Sequence, residues 1–338
     1  MRLLSSLFLL ALAVSAIGCD AFGGDDDAAD ASARLFPASQ NGERVLIDET
    51  GRVVVSLGDY SSVRPGAEGL TPARRWDGRQ NVWDYFRTDG EVAFSVAADE
   101  AFAPRDGRAR VRVDGKNAFV DTEGRFLINP YLNDARDFSE GVARVKTTGW
   151  RWGFLDRAGE VVVEPAFDNL GDLHDGRARF ERDGKVGFVD RTGAVVIEPA
   201  YDDARSFSGG RAAVRQGQRW FYVDTENRRG ADGQTFISAG DYSSGLAPVR
   251  TENRWEYVDE RGQRVIGPQF DAARAFRGGR AAVEVDGSWT FVRPDGTLLR
   301  APEFDEVDDF AGGLAAVTVD GQLGYIDEDG ATVWLPRE

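Results

Sequence analysis

The chain has almost no histidine or cysteine: one of each among 338 residues. A single Cys excludes an internal disulfide framework and a Cys-based zinc site, and a single His excludes a His-pair metal centre. Lysine is nearly absent too, occurring only at 116, 146 and 185. The formal charge of −16 disfavours polyphosphate partners such as nucleic acid. Only one long apolar run exists, Leu3 to Ile17, and it is shorter than the roughly 20 residues a membrane-spanning helix needs. What the chain has in quantity is glycine, 40 residues, in a composition that is 42% apolar and 11% aromatic. That is a globular make-up, and the chain is long enough to bury a sizeable core.

The apolar run has the length of a signal-peptide core and follows a positive Arg2. Its end, Ala16-Ile17-Gly18-Cys19, resembles a bacterial lipobox. The resemblance implies a signal peptide over residues 1–18, cleavage before Cys19, and lipidation of the Cys19 thiol. More than one acyl chain would make that anchor stable. Residues 19–33 are rich in Asp, Gly and Ala, which predicts a disordered acidic tether. The expected address is the bacterial cell envelope, lipid-anchored and facing periplasm or exterior. The acidic stretch resembles surface-export signals, whereas Asp20 resembles an inner-membrane retention signal, so the choice of membrane stays open.

Beyond residue 33 the dominant feature is self-similarity. One column is filled by Asp48, Arg87, Asp121, Asp156, Asp190, Asp224, Asp259, Arg293 and Asp327, at steps of 34 or 35 after a first step of 39. Two residues earlier stands Phe or Tyr, as in Phe154, and four earlier stand Trp83, Trp152, Trp220, Trp255 and Trp289. Positions two apart share one face of a strand, so these aromatics mark a buried face. Three residues after the column stands Gly in eight of nine units, among them Gly159, Gly193 and Gly262, with Asn227 as the exception. Asp-x-x-Gly is a turn signature and predicts a hairpin. A β-branched strand ending in Pro follows, as in Val195-Val196-Ile197-Glu198-Pro199. A connector with two aromatics comes next, Tyr201-Asp202-Asp203-Ala204-Arg205-Ser206-Phe207, and then a small-residue strand, Gly210-Arg211-Ala212-Ala213-Val214. Each unit thus predicts a three-stranded β-meander of about 34 residues. The segments are too short and too rich in Gly, Pro and β-branched residues for paired helices of that period.

These motifs resemble the bacterial WG-repeat family, named for Trp-Gly in the aromatic strand. Trp152-Gly153-Phe154-Leu155-Asp156 is the clearest instance; Gly187 and Gly324 keep the Gly without the Trp. The resemblance covers residues 34–338, with degenerate units over 34–116 and regular ones over 117–338. It implies a β-rich repeat fold and little about activity, and no functional residue carries over from it. The expected class is all-β: about nine units fit a propeller-like ring or arc, and they also fit an open β-solenoid.

Chemistry is sparse. His174, in Leu173-His174-Asp175-Gly176, reads as a solvated loop residue, and nothing else supports a triad. The Asp columns are explained by turns, whose backbone N–H groups their carboxylates accept. Neither the EF-hand loop nor the Gly-Gly-x-Gly-x-Asp repeat is present, so no metal and no cofactor is expected. The connector Args, Arg205, Arg211, Arg274 and Arg280, are expected to pair with neighbouring Asp. Trp76, Trp150 and Trp334 fall outside the Trp column and are the candidates for exposed contacts. The functional expectation is a non-catalytic binding or scaffold domain for an envelope protein or polysaccharide. A propeller-based glycan hydrolase using paired Asp, and a spacer without ligand, are the alternatives.

Overall fold

The computed structural model describes residues 33–147, 149–230 and 233–335. The signal segment, Cys19 and nearly all of the tether lie outside the described residues. The described residues form nine small antiparallel sheets arranged as a nine-bladed propeller-like ring. In chain order the blades are Phe36–Ser56, Tyr60–Ala97, Glu100–Leu132, Asp134–Phe167, Arg177–Tyr201, Asp203–Asp224, Ser238–Phe270, Ala272–Val292 and Glu306–Trp334, numbered 1 to 9 below.

Blade 4 shows how the repeat becomes a sheet. Val142–Lys146 is the small-residue strand, Trp152–Asp156 the aromatic strand, and Val161–Phe167 the outer strand. Trp152 and Phe154 are buried while Val161 and Val162 are exposed, so the outer strand is the edge that faces solvent. At the opposite edge lies a strand of two residues, Asp134–Ala135, paired with Val145 and Lys146. Four of the nine sheets have three strands, the number expected, and the others add one at this edge. The Tyr-Asp-x-Ala connector is straight enough to make ladder bonds, so five of the nine sheets have four strands. In blades 6 and 8 the outer strand is replaced by isolated bridges, such as Trp220 with Phe236 and Trp289 with Phe304.

Blades pack face to face through nine apolar clusters, and each cluster joins two successive blades. The cluster of Phe188, Ile197 and Tyr201 with Phe207, Ala212 and Val214 joins blades 5 and 6. The ninth joins the last blade to the first: Leu314 and Tyr325 pack on Phe36, Ala38, Val45 and Ile47. The array is therefore closed, and the open solenoid is excluded. Closure reuses a bond found within the ring. Tyr85, Tyr222 and Tyr257 each donate their hydroxyl to a carbonyl of the next blade, on Phe102, Gly240 and Arg274, at 2.7–2.8 Å. Tyr325 donates in the same way to Pro37, at 2.8 Å.

Candidate functional site

The residues that define the repeat are spent on holding the ring. Asp190 Oδ1 accepts the backbone N–H groups of Thr192 and Ala194 at 2.8 and 3.1 Å, and the Gly193 N–H returns to the Asp190 carbonyl. Asp156, Asp259 and Asp327 do the same with the residues two and four further on. Gly159, Gly193 and Gly262 have positive φ, and Asn227 takes that position at φ 62°. Where Arg87 and Arg293 replace the column Asp, Asp89 and Asp295 two residues later accept a turn N–H instead. Trp152 lies under Arg136, Arg144 and Lys146; Trp220, Trp255 and Trp289 are half-buried, each beneath one Arg, namely Arg215, Arg250 and Arg274. Gly153, Gly187 and Gly324 lie directly beneath the main chain of the outer strand.

Three expectations are corrected. His174 is buried, 7% exposed, at the start of a tight two-residue turn closed by bonds between it and Arg177 in both directions. Its column is an inter-blade position, since Ser139 and Ser208 there donate to carbonyls of the next blade, on Leu173 and Tyr242. The connector Args bind main chain more than Asp. Arg205 donates to Ala239, Arg274 to Val307 and Arg280 to Glu328, while Arg211 lies over the Tyr242 ring. Of the three off-column tryptophans, Trp76 (62% exposed) and Trp150 (89%) stand in solvent, whereas Trp334 packs into the closure cluster.

The turn carboxylates carry a pH prediction. The carboxyl of Asp190 is held below its usual range, first by the Thr192 hydroxyl and then by turn N–H groups. At Asp48, Asp121 and Asp224 burial pushes the carboxyl up, and the bonds from Thr50 and Arg52, Arg125, and Arg228 together outweigh it. A carboxyl depressed in the folded state stabilises fully above its unfolded value of about 3.9, and that contribution is lost as pH falls through the folded value. The melting temperature should therefore be flat from pH 7 to about 5 and fall steadily below about 4. A melting temperature unchanged down to pH 2.5 by circular dichroism would contradict the role assigned to the Asp column.

One cavity among the described residues, of about 170 Å³, is lined by Arg205, Asp241, Trp255, Arg274, Arg277 and Asp309. These come from blades 6, 7, 8 and 9. The cavity is thus touched by four successive blades. Arg274 stands 3.5 Å from Asp309. The surrounding protein pushes the Asp309 carboxyl up, opposed by Arg274 and Arg277. Elsewhere Arg110 of blade 3 pairs with Asp137 of blade 4 at 2.8 Å, and Arg144 of blade 4 pairs at 2.6 Å with Asp172 in the segment that leads to blade 5. Charged groups of both signs line the cavity. Among the described residues no group of three or more His, Cys, Asp or Glu is placed to hold a metal ion.

A model of the family described as "WG containing repeat" matches residues 118–149, 152–185, 187–220, 257–289 and 289–322. No curated protein matches the chain. Among solved structures, BamB from Moraxella catarrhalis is similar at 10% identity and TM-score 0.39, with 88% of this chain and 89% of that chain covered. Hsv2 from Kluyveromyces lactis is similar at 10% identity and TM-score 0.39, with 79% and 93% covered.

Proposed function

Because the chain carries a WG-repeat domain, we propose that it is a non-catalytic binding or scaffold protein, exported and held at the cell envelope by a lipid on Cys19. Its partner in this reading is an envelope protein or polysaccharide. The observation that supports it most is how the chemistry-bearing columns are used. The repeated Asp, Tyr, Ser and Arg side chains bind turns or the neighbouring blade. A ring cross-linked in this way is a rigid platform, and rigid repeat arrays present extended surfaces. The most exposed large apolar side chains among the described residues are Trp76 and Trp150, whose flat, amphipathic rings suit an interface.

The binding test is a cross-linking pull-down of the full chain from envelope extract, with Trp150→Ala beside it. Recovery of the same partner by the wild type and a loss with Trp150→Ala is the expected result. Turnover of a glycan or peptide by the purified chain, with no partner recovered, would favour the hydrolase instead. The anchor has its own test. Cys19→Ala should abolish lipid labelling and move the protein from the membrane to the soluble fraction, a change of most of the pool, since stable attachment needs the acyl chains. Unchanged membrane partition would remove the lipoprotein reading and leave the ring untouched.

A further inference from the structure

The glycine of the Trp-Gly pair marks a place where nothing else fits in blades 4 and 5. Other blades fill the same column with Asp84, Phe221, Glu256 and Thr290. Asp84 is buried and fully bonded: Arg75 at 2.6 Å, Tyr60 at 2.7 Å and Ser95 at 2.5 Å all donate to it. Burial pushes its carboxyl up, and those three bonds outweigh it, so Asp84 is a lock within blade 2. Thr290 is satisfied by the Arg300 carbonyl. Glu256 is different. It is 5% exposed, and its Oε2 accepts no hydrogen bond; the nearest cation is Arg264 Nη1 at 3.6 Å.

Glu256 lies in the wall of a cleft of about 490 Å³ between blades 6 and 7. The cleft is roomy because blade 6 lacks a regular outer strand there. Its polar lining is Gln234, Thr235, Thr251, Gln263 and Arg264, all exposed, while its apolar members Phe236 and Val258 are buried. The same stretch, 221–256, interrupts the run of family matches, so the departure from the repeat coincides with the cleft.

We propose that this cleft is a binding site for a neutral saccharide, with Glu256 and Arg264 as its central pair. The pair selects the ligand class. A cation is repelled by the guanidinium, and an anion by the carboxylate. A hydroxyl satisfies both, donating to Glu256 and accepting from Arg264, and adjacent sugar hydroxyls present this pattern twice. Side-chain amides and hydroxyls at the rim supply the further donors and acceptors a sugar ring needs. The strongly acidic chain also disfavours an anionic polymer. The inference narrows the polysaccharide half of the proposed function and rests on that reading.

The experiment is calorimetric titration of the full-length protein in detergent with neutral hexasaccharides of glucose, xylose, mannose and N-acetylglucosamine. At least one series should bind. Glu256→Gln keeps the side-chain shape and should weaken that binding at least tenfold. Gln263→Ala, at an exposed position, should weaken it about threefold or more and keeps the test open if the buried variant unfolds. Absence of binding by every series overturns the proposal. So does binding unaffected by Glu256→Gln in a folded protein or by Gln263→Ala, and so does binding of a random hexapeptide library where all sugars fail. A partner still captured through Trp150 while all sugars fail would leave the scaffold reading standing and remove only the saccharide site.

Discussion

Gly153→Ala should destabilise the protein by about 3 kcal/mol, the upper range for forcing extra volume into a packed site. The added Cβ would stand 2.2 Å from the Val163 carbonyl oxygen and 2.8 Å from the Pro165 nitrogen. Both obstacles are main chain of the paired outer strand, so no side chain can swing aside. Gly187 meets the same arrangement, with the Ile197 oxygen at 2.4 Å and the Pro199 nitrogen at 2.7 Å. Blade 3 carries Ala118 in this column, fully buried, so a blade can be built around a methyl group. The cost at Gly153 is that of moving an outer strand already set for none. Gly184 is the control. It has φ +70° with nothing within 4 Å of an added Cβ, so alanine there incurs only the positive-φ strain of about 1 kcal/mol. Urea denaturation of the three proteins measures the difference. A Gly153→Ala variant no less stable than Gly184→Ala would show that the Trp-Gly glycine is not a packing requirement.

Much of this was legible in the sequence because each signal was local. The Asp-x-x-Gly turn lies within four residues, and the aromatic columns lie two apart on one strand. The resulting comb, in steps of 34 or 35 residues after a first step of 39, marks every blade. What stayed hidden depends on contacts between units. The two-residue strand Asp134–Ala135 is too short to carry a pattern of its own and exists because Val145 and Lys146 lie beside it. His174 sits at an Asp-Gly turn in sequence, yet its column points to the adjacent blade. The Args looked like partners for neighbouring Asp, but the blade beyond offers carbonyls such as Ala239 to Arg205. The candidate cleft has one mark in the sequence. Glu256 stands in a column that is Gly in three of the nine units and varies in the rest, so its charge is a weaker mark than Arg87 and Arg293 in the Asp column. Its significance appears only once the column is seen to lie under the outer strand, and that strand is seen to be irregular in the blade before it.

Closure itself has a sharp energetic consequence, and Tyr325→Ala exposes it. Tyr325 is buried between the last and first blades, its ring 5.5 Å from Phe36 at 62° and its hydroxyl on the Pro37 carbonyl. Tyr257 holds the same post between blades 7 and 8, with Phe276 at 5.1 Å and 62° and its hydroxyl on the Arg274 carbonyl. Truncating a buried aromatic of this kind to alanine costs about 3–5 kcal/mol, through lost burial and the cavity left behind. In an open array the terminal unit has no partner on one side, and a substitution on its outer face is cheap. In a closed ring every interface is internal, so Tyr325→Ala and Tyr257→Ala should destabilise within about 1 kcal/mol of each other, the uncertainty expected from differences in cavity relaxation. Native-state hydrogen exchange adds a second reading. In Tyr325→Ala the amides of blades 1 and 9 should lose protection together, although they lie at opposite ends of the chain, because opening that one interface uncovers an apolar face on each. A Tyr325→Ala variant that unfolds much like the wild type, while Tyr257→Ala is strongly destabilised, would show that the two ends of the array do not hold each other in solution.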